Sequence, residues 1–188
     1  MRKLILRMLL TLDGVAAGEN GPIDMVDYGD EGSWSDIFAT LETVDALLIG
    51  AGTHREYLSY WQSALTSAAA TPSERKFAAI AARTPHFVLS RTLRTVEWPN
   101  ASVLAGGVEA IAGLKRESGR DILLWGGPTV AAAAIEAELI DEYHFDMHPV
   151  IAGRGKKLFA DVAAPHRVRH LSTRTSPSGV VLVKHARA

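Results

Sequence analysis

Short apolar runs recur along the chain, separated by stretches in which apolar residues keep helical spacing. Leu4 to Leu12 opens the series, and Asp45 to Gly50, His86 to Ser90 and Asp121 to Trp125 follow. Asp45 to Gly50 and Asp121 to Trp125 are continuously apolar after their first residue, the pattern of strands buried on both faces. Tyr143 to Ile151 alternates instead. Tyr143, Phe145 and Met147 fall on one face, and His144, Asp146 and His148 on the other. Between these runs, Trp34, Ile37, Phe38 and Leu41 mark a helical stripe over Trp34 to Thr43. Thr71-Pro72-Ser73-Glu74 combines a capping residue, a proline at the first helical position and a glutamate that reaches back. It starts a helix running to about Arg83. Val108 to Ser118 is a further helix that stops at Gly119, and Gly126-Gly127-Pro128-Thr129 opens an alanine-rich one. Gly18 to Ser33 and Ala64 to Thr71 read as loops. Val168 to Thr175 and Val180 to His185 read as a hairpin turning at Ser176-Pro177-Ser178-Gly179.

Strands alternating with helices predict an α/β fold with a mostly parallel sheet covered on both faces, and the closing hairpin adds an antiparallel edge. The 188 residues suit one domain, 1–188, and the 47% of apolar residues suffice for a real core. Net charge is −1, so nothing drives the chain as a whole toward nucleic acid or an acidic bilayer. The absence of cysteine excludes disulfides, zinc–thiolate sites and thiol nucleophiles, and fits a reducing, cytoplasmic setting. Arg7 and Asp13-Gly14 interrupt the leucine-rich start, which therefore reads as a first strand rather than a targeting segment. No run is long enough to span a membrane.

Three strands end in residues suited to an anion: Gly50-Ala51-Gly52-Thr53, Ser90-Arg91-Thr92 and Gly126-Gly127-Pro128-Thr129. Ligands of open α/β sheets bind beyond the carboxyl ends of the strands. There, glycines let a phosphate approach the backbone and helix N-termini offer free N–H groups. None of the three is a P-loop or a GxGxxG fingerprint, but a dinucleotide could lie across all of them. Asp13, closing the first strand, is the best-placed acid, with a turn-forming Asp-Gly as its plainer reading. The segment Glu19 to Asp36 is rich in acid and includes Asp24 and Asp27, which read as a lid or as a solvated loop. His144, Asp146 and His148 are of metal-ligating type, but a covered polar face explains them better, and no metal is expected. Neither HExxH nor GxSxG occurs.

Several stretches resemble the RibD C-terminal (riboflavin biosynthesis reductase) family of the dihydrofolate-reductase-like superfamily. They are TLDGVAAG (Thr11 to Gly18), GPIDMVD (Gly21 to Asp27), VDALLIGAGTHREY (Val44 to Tyr57), FVLSRTL (Phe87 to Leu93), ILLWGGPTV (Ile122 to Val130) and LIDEYHFDMHPVIAGRGKKLF (Leu139 to Phe159). The resemblance implies a three-layer αβα fold with a central sheet of about eight strands, a size ordinary for α/β enzymes. It also implies NADPH as cofactor and a homodimer. By position, Gly50 and Thr53 would face the cofactor phosphates, and Ser90 and Arg91 the adenosine 2′-phosphate. Gly126, Gly127, Pro128, Thr129 and Val130 would hold the pyrophosphate. The family has arginine where this chain has Ala51 and tyrosine where it has His54, so one cationic contact is missing: either Arg55 or Arg91 replaces it, or affinity has fallen, or the cofactor preference has changed.

The expectation is therefore an NADPH-dependent reductase of a small heterocyclic or carbonyl/imine substrate. The cofactor supplies hydride, Asp13 the proton, and Trp34 and Asp36 stand on the substrate side. The alternative is a nucleotide-binding or ligand-sensing protein that kept the fold without turnover, an alternative that Ala51 motivates.

Overall fold

The computed structural model describes residues 1–21 and 30–188. β1 (Leu4–Thr11) and the short β2 (Val15–Ala17) precede α1 (Glu31–Leu41). β3 (Val44–Gly50) leads through α2 (His54–Ala64) and α3 (Pro72–Ala81) to β4 (His86–Ser90) and β5 (Ala101–Ala105). Then come α4 (Val108–Arg116), β6 (Asp121–Trp125), α5 (Pro128–Glu136) and β7 (Glu142–His148). β8 (Lys156–Lys157), β9 (Val168–Thr175) and β10 (Val181–Arg187) follow. Residues 22–29, including Asp24 and Asp27 of the acidic segment and most of the GPIDMVD stretch, lie outside the described residues.

Eight strands form one sheet in the order β5-β4-β3-β6-β1-β7-β10-β9. From β5 to β7 every pairing is parallel, and β10 and β9 complete the sheet as an antiparallel hairpin. β2 and β8 make a separate antiparallel pair. β1 shows how the layers arise. Leu4, Leu6, Met8 and Leu10 pack against Ile111 and Leu114 of α4 and Ala131 and Ile135 of α5. Ile5 packs on the opposite face, in a core built from α1, α2 and α3 around Trp34, Trp61 and Phe77. The result is helices, sheet, helices, as the α/β reading requires. No helix among the described residues is long and apolar enough to cross a membrane.

Four elements were not expected: α2, β5 and the short pair β2 and β8. α2 follows directly on the loop after β3, and its inward residues His54, Leu58 and Trp61 keep helical spacing. Thr53-His54-Arg55-Glu56 has the spacing of a capping box, but the Thr53 hydroxyl donates to Gly50 O at 3.3 Å and makes no cap bond. β5 is an edge strand, half exposed and enclosed by Pro99-Asn100 and Gly106-Gly107, which masks it as loop. α1 begins before Trp34, because the Asp30 carboxylate accepts from Ser33 N at 2.7 Å and caps the helix there. β7 stops at His148 rather than Ile151, where Pro149 has no N–H to continue a ladder. The capping box at Thr71 and Glu74 forms as expected, with both reciprocal bonds.

Two histidines are buried inside this frame. His86 sits at the start of β4 between Tyr57 and Trp98. Its Nδ1 donates to Thr84 O at 2.7 Å, which leaves Nε2 to accept from the Tyr57 hydroxyl at 3.2 Å. Burial holds its pKa down at about 4. His144 lies on β7 with Nε2 3.1 Å from Glu142 Oε2. Burial, and then the neighbouring charges of Lys184 and Arg7, bring it to about 4 as well. Both rings are therefore neutral in the folded protein at pH values where the unfolded chain already protonates them near 6.5. Stability should be flat above pH 6.5 and fall as pH drops toward 4, by roughly 3 kcal/mol for each histidine. Urea unfolding across that window checks this, and His144→Gln should remove about half of the slope.

Candidate functional site

Because six neighbouring strands are parallel, their carboxyl ends emerge on one edge of the sheet. Two strand-end loops meet there at backbone distance. Gly126 and Gly127 both have positive φ, 78° and 84°, which a residue with a side chain adopts only with strain. A Cβ on Gly127 would lie 3.4 Å from Gly50 N and 3.8 Å from Thr53 Oγ1. A Cβ on Gly50 would press on Val130 Cγ2 at 2.9 Å. Gly50, Thr53, Gly127 and Val130 are thus in mutual contact, and Gly126, where a Cβ would meet nothing within 4 Å, completes the cradle on its open side.

The helices that follow β3, β5 and β6 start from Thr53, Gly107 and Gly127, and none has a capping side chain at that position. α1 and α3 are capped by Asp30 and Thr71. The first N–H groups of a helix have no partner within it, so an uncapped start is free for an anion. At α4 this freedom is partial, because Glu109 Oε1 accepts from Gly107 N at 2.9 Å. At α5, Pro128 is the first residue and the exposed Thr129 follows it.

The loop after β4 is arranged differently. The Ser90 hydroxyl is buried and accepts from Thr92 N at 3.2 Å and Leu93 N at 3.0 Å, closing the turn. Arg91 is exposed and runs toward Gly107, where its guanidinium faces Glu109. Ala51 packs partly buried against the α1–α3 core, and His54 Nδ1 donates to Ala51 O at 2.6 Å. Arg55 and Arg94 instead line a separate cavity of about 490 Å³ between α2 and the loop after β4, together with Thr92 and Thr95.

A cavity of about 590 Å³ opens beside the cradle and shares Thr53 and Gly126 with it. Its walls are aromatic: Trp34 of α1, Tyr57, Tyr60 and Trp61 of α2, and Trp125 of β6. Leu9 and Ile37 add apolar surface, Glu56 and Glu74 add carboxylates, and Asp146 of β7 also contributes to the lining. The Tyr60 hydroxyl donates to Glu74. Burial, and then that carboxylate, lift the Tyr60 phenol to about 12. Burial alone pushes the Tyr57 phenol up. Two polar atoms of the wall, Ser33 Oγ and Trp34 Nε1, are buried without a partner among the described residues.

Beneath the cavity lies a buried ion network. Arg7 Nη2 donates to both oxygens of Asp146 at 2.8 Å, and Nη1 donates to Asp36 Oδ2 at 2.6 Å. Lys184 of β10 reaches the other Asp36 oxygen at 2.8 Å. Burial raises the Asp36 pKa, but Lys184 and Arg7 outweigh it and hold it below the usual carboxylate range. Asp36 is thus paired inside the fold, and Asp146 is the carboxylate of this network that reaches the cavity wall. Asp13 is also engaged. Its Oδ1 accepts from the Thr11 hydroxyl at 2.6 Å and Ala152 N at 3.0 Å, and its Oδ2 from Gly153 N at 2.9 Å. The Thr11 hydroxyl first, and then those two backbone donors, bring its carboxyl to about 2. It ties the end of β1 to the segment after β7. The polar face of β7 packs into this network, and no group of three or more potential metal ligands occurs among the described residues.

Residues 2–182 match the RibD C-terminal domain. The chain belongs to the RibD C-terminal domain family. An uncharacterized Bacillus subtilis protein, YyaP, is 29% identical over 182 residues, 97% of this chain and 93% of its own. Among solved structures, the deaminase/5-amino-6-(5-phosphoribosylamino)uracil reductase of Thermotoga maritima superposes with a TM-score of 0.70 at 18% identity, covering all of this chain and 57% of that one. Dihydrofolate reductase from Enterococcus faecalis, complexed with NADP(H), superposes with a TM-score of 0.64 at 14% identity over 98% and 96% of the two chains. The fold is therefore dihydrofolate-reductase-like.

Most of the cavity wall was not anticipated. Of the substrate-side residues expected from sequence, Trp34 lines it and Asp36 does not. Tyr57, Tyr60, Trp61 and Trp125 were missed, although the first three share one short segment whose helical spacing was legible. Removing the Arg7 guanidinium leaves Asp146 buried without its partner, which should cost about 3–5 kcal/mol. Guanidinium unfolding of Arg7→Met tests this, and the double variant Arg7→Met/Asp146→Leu should recover much of the loss.

Proposed function

We propose that the protein is an NADPH-dependent reductase that passes hydride to a small heterocyclic or carbonyl/imine substrate. The observation that carries this reading is the sharing of Thr53 and Gly126 between the glycine cradle and the aromatic cavity. A cofactor held by the cradle and an acceptor held in the cavity would be neighbours. The cradle fits a dinucleotide, because its glycines approach within van der Waals contact and the helices that start beside it lack capping side chains. The cofactor would supply the hydride. Gly50, Thr53, Gly126, Gly127, Pro128, Thr129 and Val130 would hold its phosphates through the backbone and the Thr53 and Thr129 hydroxyls. Ser90 fixes the turn that presents Arg91, and Arg91 binds the 2′-phosphate, with Arg55 and Arg94 supplying the positive charge that Ala51 does not.

The chain's own residues bind and orient the acceptor. Trp34, Tyr57, Trp61 and Trp125 give it flat apolar walls and exclude water. Asp13 acts in this reading as a strut, since a carboxyl with a pKa of about 2 that accepts three hydrogen bonds is a poor proton donor at neutral pH. Asp36 positions Arg7 rather than touching substrate.

A homodimer accords with the far edge of the sheet. All eight residues of β9 are exposed, including Val168 and Leu171, and an uncovered edge strand of this length invites pairing. We place the protein in the cytoplasm, with no nucleic acid or membrane as partner. A sensor that binds nucleotide without turnover is the second reading, favoured by Ala51.

Calorimetric titration of NADPH and NADH tests the cofactor. NADPH should bind more tightly, and Arg91→Ala should weaken NADPH at least tenfold with little effect on NADH. Absence of binding for either nucleotide would overturn the reading. Light scattering should give twice the chain mass, and Leu171→Arg should return the monomer.

A further inference from the structure

The cavity beside the cradle has a charge character that narrows its ligand. Among the described residues that line it, three are carboxylates, Glu56, Glu74 and Asp146, and none is lysine, arginine or histidine. The cations nearest the cavity are occupied elsewhere. Arg7 lies behind Asp146, bonded to it and to Asp36. Arg75 adjoins Glu74 but donates outward to Ser67 O at 3.3 Å. Lys76 stands over the Phe38 ring, 4.0 Å from its centroid. A phosphate or carboxylate brought into this space would meet the Glu56 and Glu74 carboxylates, which repel it, while Asp146 is neutralised by Arg7.

The remaining lining favours the opposite kind of molecule. Trp34 and Trp61 stand edge to face with ring centroids 6.0 Å apart, and Tyr60 meets Trp61 at 4.8 Å. Such walls take a flat ring, and they attract a cationic one. Ser33 Oγ and Trp34 Nε1, buried at the wall without partners among the described residues, supply polar atoms a heterocycle can use. The volume, about 590 Å³, is that of a site for a small organic molecule.

We propose that this cavity takes a planar nitrogen heterocycle in its neutral or cationic form and rejects phosphorylated and carboxylated derivatives of the same ring. In this respect the chain differs from what the name of the Thermotoga maritima reductase describes, a phosphoribosylated uracil. The inference depends on the reductase reading only for calling the ligand a substrate. The charge selection stands on the lining itself.

A matched series on one ring tests it: quinoline, N-methylquinolinium and quinoline-6-carboxylate, titrated at pH 7.5 into the full chain and followed by quenching of tryptophan emission. N-methylquinolinium should bind most tightly, quinoline next, and the carboxylate at least tenfold more weakly than the cation. In Glu56→Gln/Glu74→Gln the cation-to-anion ratio should fall at least threefold. Glutamine at position 74 still serves the capping box of α3, so the variant keeps its fold. Equal or tighter binding of the carboxylate would overturn the proposal, as would no binding of any of the three by folded protein. NADPH is titrated into the same samples. NADPH binding with the wrong charge order removes this inference alone, whereas the right charge order without NADPH binding supports it and removes the reductase reading.

Discussion

A single guanidinium organises the middle of the molecule. Arg7 is 2% exposed on the central strand, and it ties β7 through Asp146 and α1 through Asp36, while Lys184 brings in the closing hairpin. Arginine suits this place because its planar fork serves two carboxylates at once, one of them through two hydrogen bonds. A buried charge is tolerated only when paired, so the positions of α1, β7 and β10 are coupled through this group. α1 in turn carries Trp34 and Ser33 into the cavity wall. The hairpin turn reinforces the same helix, because Ser176 and Ser178 donate to the Asp30 carboxylate that caps it.

The other constraint is the parallel sheet. It brings the carboxyl ends of β3 and β6 side by side, where a Cβ on Gly50 would press on Val130 and Gly127 holds a positive φ. That contact sets the edge at which α2 and α5 begin without capping side chains. The cradle and the aromatic cavity are therefore consequences of one topology. One is made of backbone and helix ends, suited to phosphates. The other is made of rings and carboxylates, suited to a flat molecule without negative charge. Their shared residues, Thr53 and Gly126, are where a bound cofactor and an acceptor would come together.

The layers and seven of the eight strands of the main sheet were legible, the central ones because buried parallel strands are continuously apolar, and α3 because the capping box at Thr71 is a local signal; the short β2 and β8 were not. β5 was not, since half-exposed edge strands lose that contrast. α2 was missed although Thr53 and Glu56 have capping-box spacing, because Thr53 lies in the glycine-rich strand-end loop that reads as a phosphate turn. The strand-end glycines were legible as a group, and the structure brings Gly50, Thr53, Gly127 and Val130 into contact. Ser90 and Arg91 do not join that contact: the first closes its own turn and the second faces Gly107 and Glu109. The side-chain chemistry was less readable. Asp13 and Asp36 are of the right type and near the right place, but three donors engage one and two cations the other. Only tertiary neighbours such as Ala152, Gly153 and Lys184 decide this, and they lie far along the chain. Asp146 was visible as part of a polar face, yet its place at the cavity wall depends on Arg7, a residue that in sequence only interrupts an apolar run.

The central claim is that a reduced dinucleotide lies across the strand-end loops beside the aromatic cavity. Hydrogen exchange by mass spectrometry, with and without saturating NADPH, tests it most directly. The account predicts slowed exchange confined to peptides covering Gly50–Tyr57, Ser90–Leu93 and Gly126–Ala131, with β9 and β10 unchanged. Protection absent from these loops, or appearing on the β9–β10 hairpin instead, would contradict it.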